Sequence, residues 1–165
     1  MRLAARLGYR QVVLVRHGES VWNKSNRFTG WQDVPLSETG IQESVDAGRR
    51  IARSNIRIDA AFTSLLKRTI CCFNSIADVL DIHHIPVVKS YRLNERHYGA
   101  LEGLNKAEMI ERYGRAQVRQ WTRGYDSRPP ARQSEGEYER KMGRRLSPGP
   151  YPSTEVPICT ELHSR

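Results

Sequence analysis

A run of apolar residues near the start of the sequence ends in a triplet that could carry phosphoryl chemistry. Val12–Val15 is followed at once by Arg16, His17 and Gly18. A neutral imidazole is a good nucleophile near pH 7 and can take a phosphoryl group on a ring nitrogen. An adjacent guanidinium would bind phosphate oxygens and disfavour protonation of the histidine. The triplet is therefore a candidate phosphohistidine site, and a surface histidine in a turn is the alternative.

The element that would position this triplet is a strand. Four consecutive apolar residues, three of them valine, suit a strand that is buried on both faces of a parallel sheet. Ligands of open α/β sheets bind at the carboxyl ends of the strands. We therefore expect Arg16 and His17 to stand at a ligand-binding edge of a sheet, with Ala60–Thr63 as the neighbouring parallel strand.

Strand and helix patterns alternate after that first run. The predicted order is a loop over residues 21–36, a helix over 38–53, a strand over 58–64, a helix over 66–80 and a strand over 85–88. A second functional loop over 92–104 and a third helix over 105–121 follow. This order implies a parallel sheet with right-handed crossovers. The predicted fold class is α/β, as a three-layer α/β/α domain with a mostly parallel sheet.

Composition restricts the partners and the compartment. The chain has 165 residues, a net charge of +9 and 38% hydrophobic residues, which suits one domain with a core and acidic partners. Zinc-ligand spacing, an aromatic RNA-binding motif and a membrane-length apolar run are all absent from the sequence, so we expect neither nucleic acid nor membrane as partner. Three cysteines with one vicinal pair favour a reducing, cytoplasmic location. The Arg-rich residues 1–10 are interpreted as a plain extension rather than a transit peptide.

Six sequence blocks keep a fixed order along the chain. They are LVRHGES (14–20), WNKSNRFTGWQD (22–33), LSETG (36–40), FTSLLKR (62–68), RLNERHYGALEGLNKAE (92–108) and AQVRQW (116–121). Together they resemble the histidine phosphatase superfamily and, within it, the 2,3-bisphosphoglycerate-dependent phosphoglycerate mutases. The resemblance implies an isomerase of glycolysis and gluconeogenesis that interconverts 3- and 2-phosphoglycerate, with 2,3-bisphosphoglycerate as the cofactor that primes a phosphohistidine.

The resemblance also implies roles for individual residues. His17 would be the nucleophile, Arg16 and Arg68 would hold phosphate, and Glu95 would be the general acid and base. The matched substrate-binding positions are Asn23, Thr29, Gly30, Tyr98, Lys106 and Arg123. No metal is expected, because guanidinium and backbone N–H groups would hold the phosphate. Thr122 stands where the family has a second arginine beside Arg123, which should weaken binding of a second phosphate.

Alternatives from the residues alone accompany these roles. Glu95 is flanked by Arg92 and Arg96 and could simply form a salt bridge with one of them. Asn23, Thr29 and Gly30 could serve as ordinary loop-capping residues. Arg68 could be an exposed arginine of a helix.

The last 35 residues of the chain depart from the family pattern. The family has a second catalytic histidine in an Ala-His-Gly motif, which this sequence lacks, and His163 has no such context. Residues 153–162, STEVPICTEL, are similar to the late family strand that follows the motif. We therefore expect a partial, phosphoglycerate mutase-like catalytic domain over 1–130. A divergent tail over 131–165 would contain a proline-rich linker and a terminal strand over 153–162.

Two further functions compete with the mutase. One is bisphosphoglycerate synthase or phosphatase activity, which differs in how well the intermediate is held and whether water reaches the phosphohistidine. The other is a non-catalytic, truncated phosphate-binding protein, which the missing second histidine favours. The expected partners are small phosphorylated acids, and a homo-oligomer is one alternative for the assembly.

Overall fold

The computed structural model describes residues 11–131, which contain five α-helices and two short strands. The elements are α1 (Val21–Lys24), α2 (Glu38–Arg53), β1 (Ala61–Thr63), α3 (Lys67–Leu80), β2 (Val87–Lys89), α4 (Lys106–Tyr113) and α5 (Arg115–Arg123). Two short 3₁₀ turns, Tyr91–Leu93 and Gly99–Leu101, lie between β2 and α4. The predicted helix over 38–53 has the predicted bounds.

The sheet of the described residues has two parallel strands, β1 and β2, which α3 connects. Ala61 pairs with Val87, and Thr63 pairs with Lys89. Parallel strands need a crossover connection, and the amphipathic α3 supplies it. The prediction of an α/β fold with a parallel sheet is confirmed. Both strands are shorter than predicted, because pairing extends over three residues only.

The predicted strand over Val12–Val15 is wrong for the described part of the chain. Within residues 11–131 these residues belong to neither strand of the sheet, and the partner of β1 is β2. The side chains of Val12 and Leu14 are 80% and 68% exposed, and Phe62 of β1 is 68% exposed. A buried strand needs neighbours that pair its backbone and cover both its faces. An apolar run alone does not supply them.

The helices α2 and α3 pack closely against each other. Ser37 caps α2, because its Oγ accepts a hydrogen bond from Gly40 N at 3.1 Å. Gly48 of α2 permits the close approach, since a Cβ there would lie 3.0 Å from Cβ of Val79. The buried side chains between these elements form one apolar cluster, Leu36, Cys72 and Ile76, with Ala47, Ile51 and Leu80 packed around it.

A second apolar cluster lies under the loop that follows β2. Its buried members are Phe28, Leu101, Met109 and Val118, with Tyr98, Ile110 and Trp121 against them. The single helix predicted over 105–121 is wrong, because the chain breaks into α4 and α5 at Gly114. Gly114 has φ 79° and ψ 149°, a conformation that L side chains rarely adopt. The break turns α5 so that Val118 and Met109 both reach the same cluster.

The predicted loop over residues 21–36 begins with one helical turn, α1. Ser20 and Asn23 form a reciprocal capping box there: Ser20 Oγ accepts from Asn23 N at 3.1 Å, and Asn23 Oδ1 accepts from Ser20 N at 3.1 Å. The side-chain cap explains why a polar segment without helical periodicity still forms a helical turn.

Several predictions concern residues that the structure leaves out. The extension over 1–10, most of the tail over 131–165, the terminal strand over 153–162 and His163 lie outside the described residues. Between residues 11 and 131, every helix is too short or too polar to cross a membrane. Cys71 and Cys72 are both free thiols, the first exposed and the second buried.

Candidate active site

The guanidinium of Arg68 lies at the centre of the candidate site. Arg68 is the second residue of α3, and none of its side chain is exposed to solvent. The first turn of α3 is fixed from outside the helix, because Lys67 N donates a hydrogen bond to Asp33 Oδ1 at 2.7 Å. Asp33 follows the residues that surround the guanidinium, so one loop fixes both the helix start and the side chain.

Four hydrogen bonds orient this guanidinium. Nη1 donates to the carbonyl oxygen of Gln32 at 2.9 Å, and Nη2 donates to that of Gly30 at 2.8 Å. Nη2 also donates to Glu95 Oε2 at 3.0 Å, and Nε donates to His17 Nε2 at 3.1 Å. A planar guanidinium presents its donors at fixed angles, so four acceptors from three segments define one orientation.

The imidazole of His17 is held in a defined arrangement by two neighbours. Its Nδ1 lies 2.7 Å from the carbonyl oxygen of Gly18, to which a protonated Nδ1 donates. Assigned in this way, the tautomer leaves a lone pair on Nε2, which faces Arg68 Nε. The nitrogen that faces Arg68 is therefore the nucleophilic one.

The environment of His17 favours the neutral imidazole. Burial lowers the pKa of His17 below 6.5, and the positive charges of Arg68 and Arg16 lower it further. The hydrogen bond to the Gly18 carbonyl acts in the opposite direction and does not reverse the shift. A neutral histidine at pH 7 has the free electron pair that attack on phosphorus requires.

A close backbone contact holds the His17 segment against the N-terminus of α2. A Cβ on Gly18 would lie 2.1 Å from the carbonyl oxygen of Gly40, and a Cβ on Gly40 would lie 2.0 Å from that of Glu19. Ser37 N donates to the Glu19 carbonyl at 2.9 Å. Only glycine fits at either position, so the two glycines set the distance between His17 and the helix.

Glu95 reaches the site from the loop after β2. The indole Nε1 of Trp31 donates to the backbone carbonyl of Glu95 at 2.7 Å, and the Glu95 carboxylate pairs with Arg68. The flanking Arg96 points elsewhere, because it donates to the carbonyls of Trp121 at 3.1 Å and Gly124 at 2.5 Å. The ion pair of Glu95 is thus made with the central guanidinium and not with its neighbour Arg96.

Three of the predicted substrate-binding residues, Thr29, Gly30 and Tyr98, lie next to the groups that contact Arg68. Thr29 is buried, and its Oγ1 has no hydrogen-bond partner among residues 11–131. Gly30 lies at φ 56° and directs its carbonyl toward Arg68. Tyr98 is near Glu95, and burial together with that carboxylate raises the pKa of the Tyr98 phenol. All three adjoin the groups that contact Arg68.

Three other predicted residues interact with groups other than Arg68. Asn23 uses its side-chain oxygen to cap α1. The Nζ of Lys106 stands 5.9 Å from the centroid of the Phe28 ring. Arg123 is exposed at the end of α5, and its charge reaches the Tyr98 phenol, whose pKa it lowers slightly against the dominant effect of burial. Their roles in substrate binding stay predictions.

Sequence reasoning missed Gln32, Trp31 and Glu102, which also contribute to the site. The first acts through its backbone carbonyl, and the second holds Glu95 through its indole. Glu102 accepts hydrogen bonds from the backbone of Trp31 and from the side chain of Gln32. Trp31 and Gln32 lie in the sequence block 22–33, and Glu102 lies in the block 92–108. Their residue types, however, do not indicate which groups they hydrogen-bond.

The donor set of the site suits a phosphate ester. Guanidinium groups and the buried, unpartnered hydroxyl of Thr29 can donate to phosphate oxygens, and a neutral imidazole can attack phosphorus. The described residues contain no group of three or more His, Cys, Asp or Glu side chains that could hold a metal ion. The guanidinium, hydroxyl and imidazole groups present therefore fit an anion that carries phosphate.

Solved structures with the same fold include a mutase and a phosphatase. The protein YhfR of Bacillus stearothermophilus is 26% identical with a TM-score of 0.58, over 80% of this chain and 66% of that one. The phosphoglycerate mutase of Bacillus anthracis is 24% identical with a TM-score of 0.56, over 64% of this chain and 47% of that one. A mycobacterial glucosyl-3-phosphoglycerate phosphatase is 24% identical with a TM-score of 0.54, over 62% and 46%.

The match covers a larger share of this chain than of the solved structures. The chain spans about half the length of the mutase and of the phosphatase, while the match covers more than three fifths of this chain. The family model of the histidine phosphatase superfamily, branch 1, matches residues 12–149. That match covers most of the chain and includes His17, Arg68 and Glu95. The chain therefore belongs to the histidine phosphatase superfamily.

Proposed function

We propose that this protein transfers phosphoryl groups of small phosphorylated acids through a phosphohistidine at His17, in the interconversion of 3- and 2-phosphoglycerate. The observation that supports this best is the contact of His17 Nε2 with Arg68 Nε at 3.1 Å, with Nδ1 against the Gly18 carbonyl. A neutral nucleophile and a cation that can bind phosphate therefore lie in direct contact. A substrate phosphate that displaces the Arg68 contact would lie beside both.

The first half of the reaction would load His17. The Nε2 lone pair attacks phosphorus, a P–N bond forms, and the bond from phosphorus to the ester oxygen breaks. Glu95, in its protonated form, gives a proton to the departing oxygen. Arg68 and Arg16 bind the oxygens on which negative charge develops. 2,3-Bisphosphoglycerate would supply the phosphoryl group when it is bound.

The second half would return the phosphoryl group to a hydroxyl. The Glu95 carboxylate accepts the proton of the acceptor hydroxyl as its oxygen attacks phosphorus and the P–N bond breaks. Glu95 is suited to this because its carboxylate binds the same guanidinium as His17 and its side chain is 35% exposed. The reaction would take place in the cytoplasm, where free thiols such as Cys71 and Cys72 stay reduced.

A phosphatase or synthase is the second candidate, and the exposure of Glu95 favours the phosphatase. A carboxylate that is one third exposed can activate water as well as a sugar-acid hydroxyl. Water would then attack phosphorus, Glu95 would take its proton, the P–N bond would break with its electron pair returning to His17 Nε2, and inorganic phosphate would leave. Thr122 in place of the family's arginine would favour early escape of the intermediate, because the second phosphate is held less well.

The direct test is incubation of the full chain with 2,3-bisphosphoglycerate that carries a radioactive phosphate. We expect phosphate on the protein that is labile in acid and stable in alkali and that maps to His17. His17→Gln should lose the label, while His83→Gln, at an exposed position on the surface, should keep it. A folded wild-type chain without label on His17 would contradict the proposal and favour a non-catalytic phosphate-binding protein.

A chase experiment separates the mutase from the phosphatase. The labelled chain is diluted into 3-phosphoglycerate or into buffer alone, and the products are counted. Label that moves to phosphoglycerate faster than to inorganic phosphate supports the mutase. Release as inorganic phosphate at the same rate in both solutions supports the phosphatase.

A further inference from the structure

A buried carboxylate with no assigned role lies behind the turn that carries Gly30 and Gln32. The side chain of Glu102 is 0% exposed. Its Oε1 accepts hydrogen bonds from Trp31 N and from Tyr98 N, each at 3.1 Å, and its Oε2 accepts from Gln32 Nε2 at 3.1 Å. The carboxylate thus connects the 30–32 turn with the loop that follows Glu95.

The 30–32 turn is the part of the chain that orients Arg68. The carbonyls of Gly30 and Gln32 accept two of the four hydrogen bonds of the guanidinium. The Trp31 indole, between them in sequence, binds the backbone of Glu95. Glu102 binds the turn through Trp31 N and the Gln32 side chain, whereas the turn binds Arg68 through its backbone carbonyls. Arg68 and Glu95 therefore both depend on the position that Glu102 gives to the turn.

Gly30 shows how closely the carboxylate fits behind the turn. A Cβ at Gly30 would lie 2.2 Å from Glu102 Oε1, and the residue has φ 56°. The turn can therefore bring its backbone onto the carboxylate only because this position is glycine. A shorter or absent side chain at position 102 would leave two backbone N–H groups without their acceptor in a buried site.

The charge of Glu102 makes its hydrogen bonds specific. Burying a carboxylate costs free energy unless hydrogen-bond donors surround it. The donors around Glu102 are therefore held close to its two oxygens. His97 Nδ1 lies 3.5 Å from Oε1, and the positive charge of Arg68 is near enough for Glu102 to favour the charged guanidinium. Moving the 30–32 turn would break several of these interactions together.

We propose that Glu102 is a positioning residue: its carboxylate fixes the 30–32 turn, and the turn aims Arg68 at Nε2 of His17. The kinetic part of this inference rests on the proposed function. The structural part does not, because the contact between Arg68 and His17 can be measured without any reaction.

The test compares three variants at position 102 with a control. Glu102→Ala removes the acceptor, Glu102→Asp draws it back by one methylene, and Glu102→Gln keeps an oxygen in its place. Glu111→Ala, at an exposed position of α4, is the matched control. The readouts are the pKa of His17, from NMR of histidine-labelled full chain, and the rate of phosphohistidine formation from 2,3-bisphosphoglycerate. His17→Gln assigns the resonance.

The expected result follows from the charges that face His17. These are Arg16 and Arg68, with Glu95 beyond the guanidinium. Glu102→Ala and Glu102→Asp should move Arg68 away from the ring and so raise the pKa of His17. Phosphohistidine formation should fall about a hundredfold in Glu102→Ala, as is typical when a reacting group is displaced by about 1 Å.

Glu102→Gln should retain the wild-type pKa of His17 and most of the rate. The amide oxygen can still accept from Trp31 N and Tyr98 N, and the Gln32 amide can turn to accept from the new NH₂ group. A purely structural role would lower stability in these variants without changing the pKa of His17.

Three outcomes would overturn the inference. One is an unchanged His17 pKa in folded Glu102→Ala or, where that variant does not fold, in Glu102→Asp. Another is an equal loss in Glu102→Gln, which would indicate charge rather than position. The third is the same change in Glu111→Ala. A wild type that is never phosphorylated would contradict the proposed function only, because the NMR comparison still decides the role of Glu102.

Discussion

Arg68 Nε lies 3.1 Å from His17 Nε2, although 51 positions separate the two residues in the sequence. The same guanidinium binds Gly30 and Gln32 through carbonyl oxygens and Glu95 through its carboxylate. The cation is therefore held in place before any substrate arrives. Preorganised donors of this kind need not reorient during the reaction, which is the main source of their effect on rate.

The first prediction concerns the dependence of stability on pH. The pKa of His17 in the folded chain is below 6.5. As the pH falls below about 6.5, the unfolded chain binds a proton that the folded chain does not, and the folded state loses stability. His17→Gln removes this titration. Its free energy of unfolding, measured in urea, should therefore improve relative to wild type between about pH 7.5 and pH 5.

A second histidine variant controls for the general effect of acid. His84→Gln, at an exposed position, should follow the wild-type pH dependence. If the difference in free energy of unfolding between wild type and His17→Gln stays constant over this pH range, His17 titrates alike in the folded and unfolded chains, and the prediction is wrong.

The second prediction concerns Glu95. Glu95→Gln keeps an oxygen that can accept from Arg68 Nη2, so the fold and the Arg68 orientation should be retained. The amide cannot take up or release the proton of the substrate hydroxyl. Removing a general acid and base typically lowers turnover about 10²- to 10⁴-fold, and we expect a loss in that range. Glu108→Gln, on the exposed side of α4, is the control, and unchanged turnover in folded Glu95→Gln would refute the role.

Local patterns were sufficient for the helices that carry the site. Ser37 and the apolar spacing after it predicted α2 to the residue, and the repeat from residue 66 placed Arg68 in the first turn of α3. Both depend on contacts within a few positions of the chain. The strand over Val12–Val15 depends on distant neighbours, and in residues 11–131 the sheet has β1 and β2 only.

Two other differences from the sequence predictions have equally specific reasons. Gly114 stands inside a helical repeat and breaks it, because its backbone adopts positive φ. The position of the Glu102 carboxylate depends on backbone N–H groups of two separate loops, Trp31 N and Tyr98 N, which both donate to it. Residue type carries no signal for such a meeting, whereas the family resemblance had already indicated Arg68 and His17, which the structure brings into contact.

The third prediction concerns the contact of Gly40 with the His17 segment. A Cβ at position 40 would lie 2.0 Å from the carbonyl oxygen of Glu19, which is backbone and cannot move alone. Gly40→Ala should therefore destabilise the fold by about 1–3 kcal/mol, despite the better helix propensity of alanine. It should also displace His17 and slow phosphohistidine formation. Thr39→Ala, exposed in the same turn, should change neither quantity, and a Gly40→Ala variant as stable as wild type would refute the contact.

The last prediction is that the 165-residue chain is a poor phosphoglycerate mutase. The transition state spreads negative charge over three oxygens, and Arg68, Arg16 and the unpartnered Thr29 hydroxyl can meet only part of it. The family's second catalytic histidine has no counterpart in matching sequence context, and losing one such donor typically costs about 3–4 kcal/mol, or a hundred- to a thousandfold in rate. Assay with 3-phosphoglycerate and 2,3-bisphosphoglycerate should show turnover lower by at least that factor than in a full-length mutase. Comparable turnover would contradict the prediction, and its loss in His163→Gln would then assign the second role to His163.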